Sequence, residues 1–172
     1  DHQKNPMEFI KIAELVIDSN PNVMFVYVGD GNQFNEVQKY VENSPYKQNI
    51  KLTGFCDDPN CILQSFDMFL TTSLYEGLPY SLIEALSFGL PIIATNVTGN
   101  NEVVINEYNG YLYQPGNIKE AVNFIEMLIN ESSELNRLSN NSYHLYHQKF
   151  MLGKMINSYD FLYMNVKKEI VL

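Results

Sequence analysis

Two carboxylates, Glu76 and Glu84, stand at the ends of the segment EGLPYSLIE, and by type and spacing they are the residues best suited to bind a ligand. An apolar run, Met68–Leu70, precedes this segment, and a second, Pro91–Ala94, follows it. That order predicts a strand, a loop, a helix and another strand, and α/β proteins place ligands at such loop-to-helix junctions. At about 100° per residue, Glu84 lies away from the predicted core face of the helix. The two carboxylates would then bracket a ligand at the helix end.

The predicted start of that helix lacks a good cap. Pro79 suits the first helical position because it has no N–H group to satisfy, which makes Leu78 the predicted N-cap, and leucine offers no side-chain acceptor. Gly77 has no side chain, so a ligand can approach the backbone there. The N–H groups that need a partner are those of Tyr80, Ser81 and Leu82. An anion at the positive end of the helix would serve.

Length and composition describe an ordinary globular domain. The chain has 172 residues, of which 45% are hydrophobic and 18% charged, which predicts one domain with a substantial core. A net charge of −9 argues against nucleic acid or an anionic membrane surface as this domain's own partner. No apolar run approaches the roughly 20 residues of a transmembrane helix. Cys56 and Cys61 flank a turn-like segment; a disulfide and a metal site are the alternatives, and we predict two reduced thiols in a cytosolic protein.

Apolar runs and helical patterns alternate regularly along the chain. The predicted strands are Val23–Val28, Ile50–Thr53, Met68–Thr71, Pro91–Thr95 and Gly110–Tyr113. The predicted helices are Pro6–Ile17, Phe34–Val41, Pro59–Ser65, Pro79–Phe88, Ile118–Ile129 and Glu134–Tyr146. Strands separated by helices predict an α/β fold, a Rossmann-like doubly wound parallel sheet with helices on both faces. Residues 1–150 form this domain, and residues 151–172 add a C-terminal helix.

The segment EGLPYSLIE, followed by ALSFGLPIIAT, resembles the signature of the retaining glycosyltransferases of family 4. Two Glu with seven residues between them would be weak evidence alone. The E-G-x-P core, the E-A pair, the G-x-P-x-x-A-T strand and the G-x-x-E-x-V pattern at Gly99–Val104 make the resemblance specific. It extends from Lys4 to about residue 145. The resemblance implies the C-terminal, donor-binding half of the GT-B fold.

The resemblance implies a role for several residues. Glu84 would accept hydrogen bonds from the ribose hydroxyls of a nucleotide, and Glu76 would be the catalytic carboxylate that holds the donor sugar. Lys4 would contact the diphosphate, while Phe55, after the second strand, would lie near the base. Gly31 belongs to a turn that the donor would approach. Each residue also has a plainer interpretation: a solvated helix or loop carboxylate, a surface lysine, an aromatic at a strand end or a turn glycine.

The family topology also predicts a strand before Lys4, in the centre of the sheet between Val23–Val28 and Met68–Thr71. Without it, two sheet edges would be unpaired. Preceding residues, another chain and a rearranged sheet are the three alternatives. We therefore expect a donor-binding domain of a larger enzyme, inactive alone, whose N-terminal domain binds the acceptor and packs against the C-terminal helix.

The activity implied is transfer of a sugar, with retention, from a nucleotide diphosphate sugar to an acceptor in polysaccharide or glycolipid synthesis. The helix end, Lys4 and an arginine upstream of Asp1 would stabilise charge on the departing diphosphate. No metal or other cofactor is expected, and the protein would be cytoplasmic, with any membrane contact through its N-terminal domain. A nucleotide-sugar epimerase of GT-B architecture and a non-catalytic nucleotide-sugar-binding module are the alternatives. The sugar, the base and the acceptor stay open.

Overall fold

In a computed structural model, the backbone is described for residues 2–170 and the side chains for residues 2–165, so that Asp1 and residues 171–172 of the predicted tail lie outside the described part. The strands are β1 Phe25–Val28, β2 Ile50–Gly54, β3 Phe69–Thr71, β4 Ile92–Thr95 and β5 Gly110–Tyr113. The helices are α1 Pro6–Ser19, α2 Phe34–Asn43, α3 Asn60–Leu63, α4 Tyr80–Ser87, α5 Asn100–Val103, α6 Ile118–Asn130, α7 Ser132–Leu145 and α8 Leu152–Ile170. A 3-10 turn, His2–Lys4, precedes α1 and is called the N-terminal turn below.

All the strand pairs are parallel, but they form two sheets. β1 pairs with β2, while β3, β4 and β5 pair in that order. Within the described residues, β1 and β3 therefore each have a hydrogen-bonded neighbour on one side. The sequence predicts two unpaired edges where the family topology has a central strand, and within the described residues β1 and β3 are those two edges.

The central strand β4 shows that helices cover both faces of its sheet. Its side chains are all buried, and successive residues point to opposite faces. Ile93 packs into the cluster that contains α1 and α6, whereas Ile92 and Ala94 pack into the cluster that contains α4. The doubly wound α/β architecture is thus confirmed.

Helix α1 connects the site to the core. Its apolar side chains, Ile10, Ile12, Ala13 and Val16 among them, are fully buried and pack against α6. Each buried branched side chain stabilises the fold by roughly 1.5–3 kcal/mol. Phe9 also makes edge contacts with the rings of Phe25 and Tyr27 in β1. The start of α1, and with it the N-terminal turn, is therefore held firmly on the sheets.

Several element boundaries differ from the predicted ones. The short helix α5 was not predicted, because four residues carry too little periodicity to be recognised. α3 is confined to Asn60–Leu63, where the Asp58 carboxylate accepts the Asn60 backbone N–H group. α7 begins at Ser132, and a π turn, Tyr146–Phe150, follows it.

Helix α8 forms the tail that the sequence predicts after Phe150. Its described side chains, residues 152–165, are all exposed. They include large apolar groups: Leu152, Met155, Ile156, Tyr159, Phe161, Leu162, Tyr163 and Met164. In the described part of the chain, no helix is both long and apolar enough to cross a membrane.

Candidate functional site

The loop between β3 and α4, residues 72–79, is fixed by buried hydrogen bonds. Thr72 and Ser73 are buried, and the Thr72 hydroxyl donates to the carbonyl oxygens of Lys4 at 2.8 Å and Asn5 at 3.1 Å. The Ser73 carbonyl oxygen accepts a hydrogen bond from the hydroxyl of Thr95 in β4. These contacts place the β3–α4 loop against both the sheet and the N-terminal turn.

Glu76 is the carboxylate that this arrangement holds. Lys4 Nζ lies 2.6 Å from Glu76 Oε1, and Gln3 Nε2 donates to Glu76 Oε2 at 3.3 Å. The side chain of Glu76 is 8% exposed, whereas that of Lys4 is 45% exposed. Two predicted site residues, 72 positions apart in the sequence, are thus brought into direct contact.

The N-terminal turn owes its position to a buried carboxylate at the start of α1. Glu8 accepts hydrogen bonds from Asn5 Nδ2 at 2.7 Å, the Tyr113 hydroxyl at 3.2 Å and the Gly116 backbone N–H group at 3.2 Å. Burial, with the nearby Glu8 charge, raises the pKa of Tyr113, so its phenol stays a donor. These bonds tie α1 to β5 and so hold Lys4 at the β3–α4 loop.

Gly99, just before α5, supports Glu76 from another side. Its φ of 88° favours glycine, and a Cβ atom there would lie 2.4 Å from the Gly77 carbonyl oxygen and 2.8 Å from Glu76 Cβ. The Glu76 backbone N–H group also donates to the Thr98 carbonyl oxygen at 3.3 Å. The sequence includes Gly99 in the G-x-x-E pattern but assigns it no role. No sequence pattern indicates that Gln3, in the N-terminal turn, contacts Glu76.

The start of α4 is one residue later than predicted. Pro79, not Leu78, is the N-cap, because its ψ of 97° is extended and the first helical residue is Tyr80. The Leu82 N–H group donates to the Pro79 carbonyl oxygen at 3.0 Å, so the prediction that it needs an external partner is wrong. Pro79 makes no side-chain cap hydrogen bond. In the described chain, the N–H groups of Tyr80 and Ser81 remain available to a ligand.

Glu84 lies on the second turn of α4, away from the core. Leu82, Ala85 and Leu86 are fully buried, whereas Glu84 is partly exposed, as its spacing predicts. Within the described residues, its carboxylate has no protein hydrogen-bond partner, although the Ser87 hydroxyl donates to its backbone carbonyl oxygen at 2.6 Å. A carboxylate in this state can accept hydrogen bonds from ligand hydroxyls.

Gly31 and Phe55 lie at the carboxyl ends of the other sheet. Gly31 follows β1, and its carbonyl oxygen accepts a hydrogen bond from the Phe34 backbone N–H group at 2.8 Å. Phe55 follows β2 and is 68% exposed. A hydrogen bond of 2.9 Å from the Gly29 N–H group to the Gly54 carbonyl oxygen joins the two strand ends. No hydrogen bond or ion pair among the described residues connects Gly31 or Phe55 to Glu76.

Cys56 and Cys61, between β2 and α3, are both free, as the sequence predicts. The Cys61 thiol donates to the Asp58 carboxylate at 3.4 Å. This hydrogen bond raises the pKa of Cys61 and lowers that of Asp58, because it stabilises the thiol and the carboxylate together. Both cysteines are therefore consistent with reduced thiols.

The fold and the site together define a class of protein. Parallel strands with helices on both faces, and polar groups gathered at the carboxyl end of β3, are features of a Rossmann-like ligand-binding domain. The sequence profile of the family "Glycosyl transferases group 1" matches residues 1–145, and the chain belongs to that family. The resemblance given above is thereby confirmed, whereas the finer placement in family 4 stays a prediction.

Individual relatives agree with this membership. The chain is 34% identical over 167 residues to the UDP-Gal:alpha-D-GlcNAc-diphosphoundecaprenol alpha-1,3-galactosyltransferase of Escherichia coli, covering 95% of this chain and 43% of that enzyme. It superposes with a TM-score of 0.86 and 25% identity on an S. aureus TarM variant in complex with Fondaparinux, alpha-GlcNAc-glycerol and UDP, covering 93% of this chain and 33% of TarM.

A third protein shares the fold and was solved as a separate domain. The chain superposes with a TM-score of 0.78 and 24% identity on the C-terminal domain of the glycosyl transferase group 1 family protein LpcC from Francisella tularensis, covering 88% of this chain and 82% of that one. Against the E. coli enzyme, of which it covers 43%, the chain spans somewhat less than half of its relative's length.

Proposed function

We propose that the chain is the donor-binding domain of a retaining glycosyltransferase that transfers a hexose from a UDP-sugar to an acceptor in polysaccharide or glycolipid synthesis. The observation that carries the proposal is the Lys4–Glu76 pair, 2.6 Å apart, beside the uncapped start of α4. A cation and free helix N–H groups bind a diphosphate, and a carboxylate accepts hydrogen bonds from sugar hydroxyls. The E. coli relative is named for its use of UDP-Gal, and the TarM structure contains UDP, which supports uracil as the base.

The donor diphosphate lies at the start of α4 in this proposal. The N–H groups of Tyr80 and Ser81 donate to its oxygens, and Gly77 leaves room for it beside the backbone. In this proposal Lys4 turns from Glu76 toward the diphosphate, a movement that its 45% exposed, flexible side chain permits. As the sugar departs, negative charge builds on the diphosphate, and the ammonium group and helix end stabilise it.

The rest of the donor occupies the two flanking positions. The unpartnered Glu84 carboxylate accepts the ribose hydroxyls, and Phe55 and Gly31 lie on the side of the base. Glu76 holds the hexose at the reacting carbon. We expect no metal in this reaction, as the resemblance implies.

The acceptor site belongs to the part of the enzyme outside this chain. We propose that the N-terminal domain supplies it and that α8 packs on that domain, since the apolar side chains of α8 between residues 152 and 165 are exposed. The isolated chain then binds donor without turnover. A cytoplasmic enzyme, with any membrane contact through its N-terminal domain, stays our expectation.

Calorimetric titration of the domain with UDP, GDP and ADP, and with UDP-galactose, UDP-glucose and UDP-N-acetylglucosamine, tests the donor site. We expect UDP to bind most tightly of the three nucleotides and one UDP-sugar to exceed UDP. A domain that binds no nucleoside diphosphate would contradict the proposal. In the full-length enzyme, epimerised UDP-sugar without transfer would favour the epimerase alternative.

A further inference from the structure

Gln3 is the residue of the N-terminal turn that touches the β3–α4 loop at three points. Its side-chain amide donates to the Tyr75 carbonyl oxygen at 2.9 Å and to Glu76 Oε2 at 3.3 Å. Its own carbonyl oxygen accepts the Leu74 backbone N–H group at 2.8 Å. The amide thus holds both the peptide before Glu76 and the Glu76 carboxylate.

We propose that Gln3 is a positioning residue that fixes the Glu76 carboxylate for the donor sugar, an inference that rests on the proposed function. A carboxamide suits this task because its NH₂ group offers two hydrogens in one plane, one for each oxygen. A glutamate at position 3 would have no donor and would repel Glu76. A methionine would match the length without any hydrogen bond.

The two contacts on Glu76 differ in what a bound donor does to them. Lys4 holds Oε1, but its side chain is 45% exposed and turns to the diphosphate in the proposed complex. Gln3 holds Oε2 and carries no charge, so a diphosphate does not draw it away. Gln3 is therefore the contact that keeps the carboxylate in place while the sugar is bound.

This division predicts a selective defect. Loss of the Gln3 amide frees Glu76 to rotate, which weakens the contact with the sugar but leaves the nucleotide contacts at α4 unchanged. Gln3→Met should bind UDP within about two-fold of the parent. Its affinity for the tightest UDP-sugar should fall about ten-fold, because a misplaced Glu76 carboxylate would lose about one charged hydrogen bond to the sugar.

The experiment compares Gln3→Met with the parent 172-residue domain by calorimetry, using UDP and the three UDP-sugars named above. Gln38→Met is the matched control, because Gln38 also donates to a carboxylate, that of Glu42 on the exposed surface of α2. We expect parental affinities from it. Circular dichroism checks the fold, and Gln3→Asn, which keeps the amide but is one methylene shorter, replaces Gln3→Met if that variant does not fold.

A double-mutant cycle then tests whether Gln3 acts through Glu76. In the Glu76→Ala background, Gln3→Met should cause no further loss of UDP-sugar affinity. Equal losses for UDP and UDP-sugar would indicate a general structural role and overturn the inference, as would unchanged UDP-sugar binding. If the parent binds no nucleotide, the proposed function fails, and the inference that rests on it fails too. If the parent binds UDP-sugar and Gln3→Met binds it equally well, only the inference fails.

Discussion

The two carboxylates of the EGLPYSLIE segment lie in contrasting surroundings. Glu76 is almost buried, and both of its oxygens have partners in the N-terminal turn. Glu84 is partly exposed, and its carboxylate has no protein partner within the described residues. The held carboxylate suits a reacting centre, where geometry must be set before the substrate arrives. The open carboxylate suits simple recognition, where the ligand supplies the missing hydrogen bonds.

Gly99→Ala should have the largest effect, because it disturbs the packing around Glu76. The new methyl group would meet Gly77 and Glu76 in a backbone conformation with φ 88°, so we expect the free energy of unfolding to fall by about 2–4 kcal/mol. Gly116→Ala is the matched control, since its φ is 83° but nothing lies within 4 Å of the added Cβ. Urea unfolding should show a loss of only about 1–2 kcal/mol there. Equal losses for the two variants would show that Gly99 does not support Glu76 by contact.

Glu76→Ala should impair the use of the donor sugar while leaving nucleotide binding nearly unchanged. We expect UDP binding to change little, because UDP lacks the group that Glu76 holds. The full-length enzyme should lose about 100-fold in kcat, as expected when a reacting group is misplaced. Steady-state kinetics measures this loss, with Glu36→Ala, an exposed carboxylate on α2, as the control. Parallel losses for UDP and UDP-sugar would contradict the role assigned to Glu76.

Leu78→Asp tests the diphosphate position between the two carboxylates. Leu78 is 48% exposed and precedes the cap residue, so the change adds a charge without disturbing the core. We expect UDP affinity to fall roughly thirty-fold relative to Leu78→Asn, because a carboxylate near a diphosphate repels it. Calorimetry of the two variants isolates the charge, since aspartate and asparagine have the same shape. Equal UDP affinities of the two variants would show that the diphosphate does not lie at this helix end.

Glu84→Gln should have the smallest effect. Replacing the charged acceptor by a neutral amide should cost about 1–2 kcal/mol, or roughly ten-fold in UDP affinity. Stability should stay near the parent's, because no described protein group donates to this carboxylate. Titration with UDP, alongside a melting curve, measures both quantities. Unchanged affinity in a folded variant would remove Glu84 from the site.

Local sequence determines the surroundings of Glu84 more fully than those of Glu76. The orientation of Glu84 follows from helical spacing, which is a local property, and the structure agrees. The contacts of Glu76 come from residues about 70 positions away, which no local pattern reveals. The error at the start of α4 has a similar origin. Pro79 can be the first residue of a helix or its N-cap, and the conformation of the surrounding loop makes it the N-cap.

The sequence by itself determined the alternation of strands and helices, the doubly wound class, the family and the pair of carboxylates after β3. These properties depend on periodicity and on short motifs, so each can be recognised within a few residues. Only the tertiary structure decided that Lys4 and Gln3 meet Glu76 and that Gly99 must lack a side chain. Those features arise where distant segments pack together, and the contact, not the local sequence, determines them.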